Sequence, residues 1–307
     1  MRIVSLLPSS TEILCALGLA AQVVGISHEC DYPPEITDRP RLTAPKINPH
    51  ADSRTIDRDV RALVREGLSV YRLDSERLRA LQPDLIVTQD QCQVCAVTYD
   101  EVMAAARQVL GAHVQVLSLR PVLLQDIWDD IARVGEATGR QRQAAALLEG
   151  LFERVKALVA QTMLIRQPPR VAMIEWIEPL MLAGNWMPEL IQLAGGTDGL
   201  CRPGQHSPTV AWETLRQYAP EVLLIAPCGY SLAQTLAELP RLQRLPGWQA
   251  LPAVRQGRVY AVDGHTYFNR PGPRIVDSLE LLAGLVHPDL FGDFLPAAGQ
   301  AYQPVPP

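Results

Sequence analysis

The sequence predicts an α/β fold of two Rossmann-like lobes with parallel sheets, joined by one long α-helix. Three observations lead to this class. Short apolar strands alternate with amphipathic helices through the first 120 residues, and the alternation resumes at residue 168. One long helical pattern separates the two regions. Polar and aromatic loops follow several strands, at the edge where open parallel sheets place their ligands.

The amino-terminal region begins with a strand at residues 3–7 and a helix that we expect to end at Leu17. Ser9 and Glu12 stand three residues apart at the start of this helix, which is the spacing of a capping box. Gly18 then supplies a residue that commonly ends a helix. The same patterns predict further strands at residues 22–27, 69–71, 84–88 and 113–117, and further helices at residues 57–66, 74–81 and 100–110.

The middle of the chain is helical. After Pro121, apolar residues recur at helical spacing as far as Gly139, and a longer helical pattern covers residues 140–164. A helix of this length spans roughly 36 Å, the width of a whole domain. We therefore expect a rigid helical segment at residues 121–167 between an amino-terminal lobe at residues 1–120 and a carboxyl-terminal lobe at residues 168–307.

The carboxyl-terminal region repeats the alternation of strands and helices. Strands are predicted at residues 170–175, 221–226 and 258–262, and helices at residues 188–193, 210–218 and 275–286. The tail after Pro288 is rich in proline, so we expect it to be loosely packed.

Composition excludes several classes of protein. Of 307 residues, 48% are hydrophobic and 20% charged, which is typical of a globular protein. The net charge of −5 argues against nucleic acid as a partner. No apolar stretch approaches the roughly 20 residues that span a bilayer. Six cysteines are too few for a disulfide scaffold in a chain this long.

The first residues bear on the compartment. One basic residue precedes an apolar run that stops at Pro8, which is shorter than the core of a secretory signal, roughly 7–15 residues. A first strand explains this run better than a signal peptide does. We therefore expect a cytoplasmic protein as the sequence is written, or a periplasmic or cell-surface protein if a leader has been removed.

Candidate ligand-binding residues lie in the loops that follow the strands. The loop at residues 263–274 combines acidic, aromatic and basic side chains between the last predicted strand and the last predicted helix. Arg270 could bind a ligand phosphate or carboxylate through two parallel hydrogen bonds, or it could be pinned to Asp263 and shape the loop. Ser9 lies at a helix amino terminus, where anions bind, although capping alone would explain it. The candidate ligand contacts are Ser9, Tyr32, Gln89, Cys92, Trp176, Trp186, Tyr230, Asp263, Tyr267, Phe268 and Arg270.

Cysteine and histidine residues in the same loops form a second group of candidates. Cys92 and Cys95 form a Cys-x-x-Cys pair, separated by two residues, and His28, Cys30 and Cys228 lie in other loops after strands. Such side chains could bind zinc, an iron–sulfur cluster or cobalt, and a paired cysteine could be redox-active. They could equally be structural, because neither lobe supplies a complete tetrahedral set of ligands.

The sequence contains no complete catalytic motif. There is no Gly-x-Ser-x-Gly elbow, no phosphate loop and no His-Glu-x-x-His pair. A binding protein without catalytic residues, not an enzyme, is therefore the first hypothesis. The alternative is a cytoplasmic protein that uses the cysteine- and histidine-rich loops to hold a metal centre or to process a corrinoid.

Several motifs extend this hypothesis by resemblance. They are SLLPSSTE at residues 5–12, DYPP at 31–34, LQPDLIV at 81–87, PEL at 188–190, AGG at 194–196 and RPGPR at 270–274. With these motifs, residues 1 to about 290 resemble the helical-backbone class of substrate-binding proteins that serve ABC importers of metal chelates. Within that class the chain looks most like the vitamin B12-binding branch. Residues 89–95 depart from it, since an aromatic-glycine loop would be expected there.

The resemblance implies a ligand, a site and a partner. A corrinoid such as cobalamin would lie between the two lobes, with Tyr32 against the corrin ring, Asp263 at its side, and Tyr267 and Phe268 as aromatic walls. Glu76 and Glu213 would dock onto an ABC permease. The protein would act as a monomer. The same class also includes receptors for other chelates, so haem or a siderophore is the alternative ligand.

Overall fold

The structure is a computed structural model that describes residues 1–66, 68–89, 99–110 and 114–306. It confirms an α/β architecture, with two compact units that each contain a sheet of mainly parallel strands. Unit 1 comprises Met1–Ala51, Thr55–Pro121 and Gln125–Gly150, and unit 2 comprises Asp52–Arg54, Val122–Leu124 and Leu151–Pro307. The three-part division at residues 120 and 167 stays a prediction.

Unit 1 contains a parallel sheet of four strands in the order β2-β1-β5-β6. The five strands from β1 to β5 are Ile3–Ser5, Val23–Ile26, Thr43–Pro45, Tyr71–Leu73 and Leu85–Gln89, and β6 is Gln115–Leu119. The central strands β1 and β5 are buried along their whole length, as expected for parallel strands covered on both faces. Strands β3 and β4 form a separate antiparallel pair.

The helices numbered up to the long central one are α1 (Pro8–Ala16), α2 (Ser53–Arg65), α3 (Ser75–Leu81), α4 (Tyr99–Leu110), α5 (Leu124–Ala137) and α6 (Gln141–Thr162). The long helix α6 confirms the predicted central pattern with 22 residues, and the boundary at residues 150 and 151 falls inside it. Within the described ranges, every helix is too short or too polar to cross a membrane.

The predicted capping box at Ser9 and Glu12 is wrong. Helix α1 begins at Pro8, with Leu7 as the N-cap residue, and no side chain caps it. Proline favours the first position of a helix because its fixed backbone angle suits that position and its missing N–H has no partner there anyway. This moves Ser9 and Glu12 inside the helix, where both side chains are buried.

Unit 2 contains a sheet of five strands in the order β11-β10-β9-β7-β8. These are β7 (Val171–Trp176), β8 (Met181–Leu182), β9 (Val222–Ile225), β10 (Val259–Val262) and β11 (Tyr302–Pro304). The three central strands are parallel, and the edge strands β8 and β11 run antiparallel to their neighbours. The helices of this unit are α7 (Met187–Leu193), α8 (Trp212–Tyr218), α9 (Leu232–Gln243), α10 (Pro252–Arg255), α11 (Ile275–Val286) and α12 (Pro288–Phe291).

The prediction of a loosely packed tail is wrong. Strand β11 pairs with β10, with Tyr302 opposite Val262. Phe291 and Val305 are buried, so the tail adds apolar side chains to unit 2. Prolines are tolerated here because β11 is an edge strand, in which one side of the backbone needs no partner strand.

Helix α9 was not predicted. Pro240 lies inside it, at a position where proline normally disrupts a helix. Its start, however, carries a complete capping box, in which Ser231 and Gln234 each accept a hydrogen bond from the other's backbone N–H. Here the start signal was the better guide to the helix.

Candidate functional site

Three strand ends of unit 2 lie side by side. Strands β7, β9 and β10 are parallel neighbours, and Ile225 is in register with both Ile174 and Ala261. The loops that leave their carboxyl ends therefore begin at one edge of the sheet. This is the edge at which open α/β sheets bind ligands.

An aromatic pair joins two of these loops. The rings of Trp176 and Tyr230 are 5.3 Å apart between centroids and meet edge to face at 62°. Trp176 is half-buried, whereas Tyr230 is only 2% exposed. Burial raises the pKa of Tyr230, and the nearby carboxylates of Glu238 and Asp52 raise it further. At neutral pH its hydroxyl is therefore a neutral hydrogen-bonding group.

The loop after β10 is shaped by its own first residue. Asp263 Oδ1 accepts hydrogen bonds from the backbone N–H groups of His265 at 3.0 Å and Thr266 at 2.9 Å, and Oδ2 accepts one from the Thr266 hydroxyl. A carboxylate bonded to backbone two and three residues ahead holds a tight turn. Asn269 Nδ2 donates to the Gly264 carbonyl at 2.9 Å and closes the loop. The carboxylate of Asp263 is thus used mainly in fixing the loop.

Gly264 allows this loop to pack against the preceding one. A Cβ atom at this position would overlap the carbonyl oxygen of Pro227 and lie 2.8 Å from the backbone of Ala226. The backbone of His265 also donates a hydrogen bond to the Tyr230 carbonyl at 2.9 Å. Backbone contact of this kind makes the two loops one rigid surface.

Arg270 bonds within its own loop. Its guanidinium lies 2.7 Å from His265 Nε2, and because arginine has only donors, the imidazole nitrogen accepts. The side chain of Arg270 is 6% exposed. These contacts favour the hypothesis that Arg270 shapes the loop, with His265 as a partner.

Two further candidates hold the end of the loop against the unit. Trp186 Nε1 donates to the Phe268 carbonyl at 2.9 Å, and Ser278 Oγ accepts from the Phe268 N–H at 3.1 Å. Phe268 has a φ of 72°, in the left-handed region, and both aromatic side chains are buried. Tyr267 is half-buried beside Phe268, with ring centroids 6.4 Å apart. Burial, and the charge of Asp277, raise the pKa of Tyr267.

An ionic cluster near Tyr230 was not anticipated from the sequence. Arg241 lies 2.8 Å from Glu178, 3.2 Å from Glu238 and 3.3 Å from Asp52. Ser53 Oγ donates to Glu238 at 2.6 Å. Among these contacting pairs only Glu238 and Arg241 are close in sequence, so spacing gives no signal for the other contacts.

The corresponding strand ends of unit 1 carry hydroxyl groups. Ser5 Oγ lies 2.5 Å from Ser10 Oγ and accepts from Thr11 Oγ1 at 2.8 Å. Thr11 Oγ1 is also 3.0 Å from Cys30 Sγ, and all four side chains are buried. Ser9, the candidate ligand contact, is 2% exposed.

The remaining candidates of unit 1 differ in exposure. His28 Nδ1 is 2.7 Å from Thr43 Oγ1, and its Nε2 is 3.0 Å from Glu29 Oε1. Tyr32 is 43% exposed and offers its ring to solvent, whereas Gln89 at the end of β5 is buried. Tyr32 therefore offers a ligand the largest accessible aromatic surface among the candidates of this unit.

The structure brings no metal site together within the residues it describes. In that part of the chain, no group of three or more histidine, cysteine, aspartate or glutamate side chains is arranged to hold an ion. Burial raises the pKa of Cys15 to about 11 and of Cys201 to about 12, so these thiols stay protonated and unreactive. Cys92 and Cys95 lie outside the described residues, and their metal and redox hypotheses stay predictions.

The two predicted docking residues lie in different units. Glu76 is exposed in the first turn of α3 in unit 1, and Glu213 is exposed in the first turn of α8 in unit 2. Glu213 accepts hydrogen bonds from Arg216 at 2.8 Å, which lowers its pKa. Their role in docking stays a prediction.

Comparison with known proteins identifies the family. A sequence model of the periplasmic binding protein family matches residues 3–266. The uncharacterized ABC transporter substrate-binding lipoprotein YvrC of Bacillus subtilis is 22% identical over 296 residues, which cover 94% of this chain and 81% of the relative. A vitamin B12-binding protein of Vibrio cholerae is 25% identical over 282 residues, which cover 91% of this chain and 86% of the relative.

Solved structures share the fold. The periplasmic vitamin B12-binding protein of Vibrio cholerae has a TM-score of 0.66 at 22% identity, covering 94% of this chain and 97% of the other. A periplasmic haem-binding protein of Pseudomonas aeruginosa has a TM-score of 0.68 at 21% identity, covering 94% of this chain and 92% of the other. The resemblance inferred from the motifs is confirmed.

The expected cytoplasmic location is wrong. The matching family is that of the periplasmic binding proteins, and the Bacillus subtilis relative is a substrate-binding lipoprotein. The expectation rested on the short apolar run near the amino terminus. In the structure, residues 3–5 of that run form a central strand of the sheet, so the run reports on the fold and not on the compartment.

Proposed function

The chain belongs to the periplasmic binding protein family and is a substrate-binding protein of the ABC-importer type, and we propose that its ligand is a corrinoid. The observation that carries this proposal is the likeness to vitamin B12-binding proteins over nine-tenths of the chain. The protein binds its ligand and passes it to a permease without chemical change. It needs no catalytic residue or metal of its own, because the corrinoid brings its own cobalt.

The surface after β7, β9 and β10 suits such a ligand. A corrinoid is a large, flat ring fringed with amides, so it binds best to aromatic faces with hydrogen-bonding groups around them. Trp176 and Tyr267 are half-buried and supply the faces, and the backbone of the loop at residues 263–270 supplies polar groups. In unit 1, Tyr32 is exposed, and its contact with the corrin ring stays a prediction of the resemblance.

The other candidates support this surface from behind. Trp186, Phe268 and Arg270 are buried and bonded within unit 2, so they hold the loop in its shape. A loop that is already rigid loses little conformational entropy on binding, which favours affinity. We expect substitutions of these residues to weaken binding through loop disorder.

Delivery would use the exposed glutamates. Glu76 and Glu213 each lie in the first turn of a short helix, and both residues are exposed. Permease arginines would pair with them, as the resemblance implies. A monomer with one such residue in each unit suffices for this contact.

The test is a calorimetric titration of the purified protein with cyanocobalamin and hydroxocobalamin, followed by haemin as a competing chelate. We expect one corrinoid to bind per chain, with a shift of the corrin absorbance. Trp176→Ala and Tyr267→Ala should each weaken binding by about tenfold, because an aromatic contact of this kind contributes on the order of 1 kcal/mol. Trp212→Ala is the matched control, since Trp212 is half-buried at the start of α8 and stacks on Trp248.

Three outcomes would contradict the proposal. Absence of heat and of any absorbance change with both cobalamins would rule out a corrinoid as the ligand. Stoichiometric binding of haemin instead would identify haem as the ligand. Equal weakening by Trp212→Ala and Trp176→Ala would show that the loops after β7, β9 and β10 are not the binding surface.

A further inference from the structure

Unit 1 has a cavity that the proposed function does not use. It measures about 500 Å³ and opens beside the β3–β4 pair and the start of α3. Its lining residues come from the two strands, from the chain just before β3 and from the start of α3. They are Arg41, Leu42, Thr43, Ala44, Arg72, Leu73, Asp74 and Arg77. All of these residues belong to unit 1, far along the chain from the loops of unit 2 discussed above.

The cavity is strongly basic in a chain that is acidic overall. Three arginines, Arg41, Arg72 and Arg77, line it together with one carboxylate, Asp74. The chain as a whole carries a net charge of −5. Asp74 is also committed elsewhere, because its Oδ1 caps helix α3 by accepting from the Arg77 N–H at 2.9 Å. Its carboxylate is 3.7 Å from the Arg77 guanidinium, so it neutralises only part of the positive charge.

Backbone contacts hold two of the guanidinium groups in place. Arg77 Nη1 donates to the Arg41 carbonyl at 2.8 Å, and Arg41 Nη1 donates to the His28 carbonyl. Each guanidinium has five N–H donors in a fixed plane, so one bond to a carbonyl orients the group and leaves other donors available. Positioned arginines of like charge repel one another, and an anion among them removes that repulsion.

The β3–β4 pair leaves room for such an anion. Ala44 is paired in register with Arg72, so their side chains stand on the same face of the two strands. Alanine is small, and the space beside it is part of the cavity. Within the described part of the chain, the Arg72 guanidinium has no hydrogen-bonding or ion-pair partner of its own.

We propose that this cavity binds a phosphate-bearing anion through Arg41, Arg72 and Arg77. Arginine pairs with phosphate through two parallel hydrogen bonds, and several arginines around one cavity are a common way to hold it. A free phosphate or pyrophosphate and the headgroup of an anionic phospholipid present the same chemistry. The experiment separates these two sources.

The first arm titrates the full chain with inorganic phosphate and with pyrophosphate by calorimetry at low ionic strength. The second arm measures co-sedimentation with vesicles of phosphatidylglycerol and, for comparison, of phosphatidylcholine. Binding in the first arm alone assigns the cavity to a free anion. Binding of the full chain to phosphatidylglycerol vesicles but not to phosphatidylcholine vesicles assigns the cavity to a lipid headgroup.

Three variants test the location of the site. Arg72→Gln should weaken binding about tenfold by removing a charged donor. Ala44→Leu should weaken it as well, because it fills the cavity without changing the charge. Arg79→Gln removes the same charge from α3 outside the cavity lining, and its affinity should stay within about twofold, since exposed charges at a distance are screened.

The proposal fails if neither phosphate, pyrophosphate nor phosphatidylglycerol vesicles bind the wild-type chain at low ionic strength. It also fails if Arg79→Gln weakens binding as much as Arg72→Gln, because the attraction would then be non-specific. Circular dichroism of each variant checks that the fold is intact. A folded Ala44→Leu protein with unchanged affinity would likewise contradict a site inside the cavity.

Discussion

The carboxyl ends of the two parallel sheets carry opposite kinds of polar chemistry. In unit 1 the end of β1 meets a buried group of neutral side chains, in which Ser5, Ser10, Thr11 and Cys30 satisfy one another. In unit 2 the ends of β7, β9 and β10 carry indole and phenol rings beside an ionic cluster around Arg241. In both units, however, the chain runs in the same order from a strand through a loop into a helix.

The difference shows what the parallel topology decides and what it leaves open. It brings strand ends to one edge, but the loop residues determine whether that edge is sealed or presents a surface. Neutral hydroxyls can be buried at little cost once they bond to one another, as they do at the end of β1 in unit 1. Trp176 and Tyr267 stay partly accessible at the edge of unit 2, where we propose that the ligand binds. Three substitutions test this contrast.

The largest effect is expected at Gly264, where the loops of unit 2 touch through their backbones. Gly264→Ala would drive a Cβ atom into the Pro227 carbonyl, and neither backbone can move without disturbing the sheet end. We expect the free energy of unfolding to fall by about 3 kcal/mol, as for overpacking in a rigid site. Urea denaturation of the variant measures this.

Gly229 is the matched control for that substitution. It lies in the loop after β9 with a φ of 77°, and a Cβ atom there would meet nothing within 4 Å. Gly229→Ala should cost only the strain of the left-handed conformation, about 1 kcal/mol. Equal losses for the two variants would mean that the loops are not in rigid contact.

The second effect concerns a buried carboxylate of unit 1. Asp130 in α5 is 3% exposed, and burial raises its pKa from 3.8 to about 6, although Arg133 at 2.7 Å opposes the shift. Folding therefore favours the protonated form, and the wild type loses stability as the pH rises from about 4 to about 6. Asp130→Asn should be more stable than the wild type by about 2 kcal/mol at pH 7, after allowance for the weaker bond to Arg133.

The pH dependence of stability distinguishes a raised pKa of Asp130 from a gain in stability that is independent of pH. Below pH 3.8 the aspartic acid is mostly protonated in both folded and unfolded chains, so the advantage of Asp130→Asn should largely vanish there. Urea denaturation of both proteins at pH 3.5, 5, 6 and 7 provides the comparison. An advantage that is the same at every pH would contradict a raised pKa.

The smallest effect is expected in the cluster of bonded hydroxyls formed by Ser5, Ser10 and Thr11 in unit 1. Ser5→Ala removes the side chain that bonds to both Ser10 and Thr11, whose hydroxyls also bond to the Leu7 carbonyl and are not left wholly without partners. We expect a loss of about 1 kcal/mol in the free energy of unfolding. Thr37→Ala is the control, because its hydroxyl bonds to the Pro34 carbonyl at 2.8 Å but is exposed, and water can replace that bond. Similar losses of stability in Ser5→Ala and Thr37→Ala would show that burial does not strengthen the hydrogen bonds of Ser5.

Local signals were sufficient where one element explained its own boundaries. Helix α11 has the predicted bounds at both ends, because a loop rich in proline and glycine precedes a run of apolar residues and Pro288 follows. The start of α1 was misplaced because Pro8 and Ser9 both signal a helix start, and proline prevailed. Helix α9 and strand β11 were missed, and each contains a proline, which disfavours regular structure in the local sequence.

The amino-acid sequence alone determined the α/β class, the long helix α6 and the family, since each depends on periodicity or on short motifs within one segment. Only the tertiary structure decided that Arg241 gathers Glu178 and Asp52, and that Arg41 meets Arg72 and Arg77 around one cavity. The physical reason is distance along the chain. Side-chain contacts between remote residues depend on how the loops pack. No periodic pattern in a single sequence predicts such contacts.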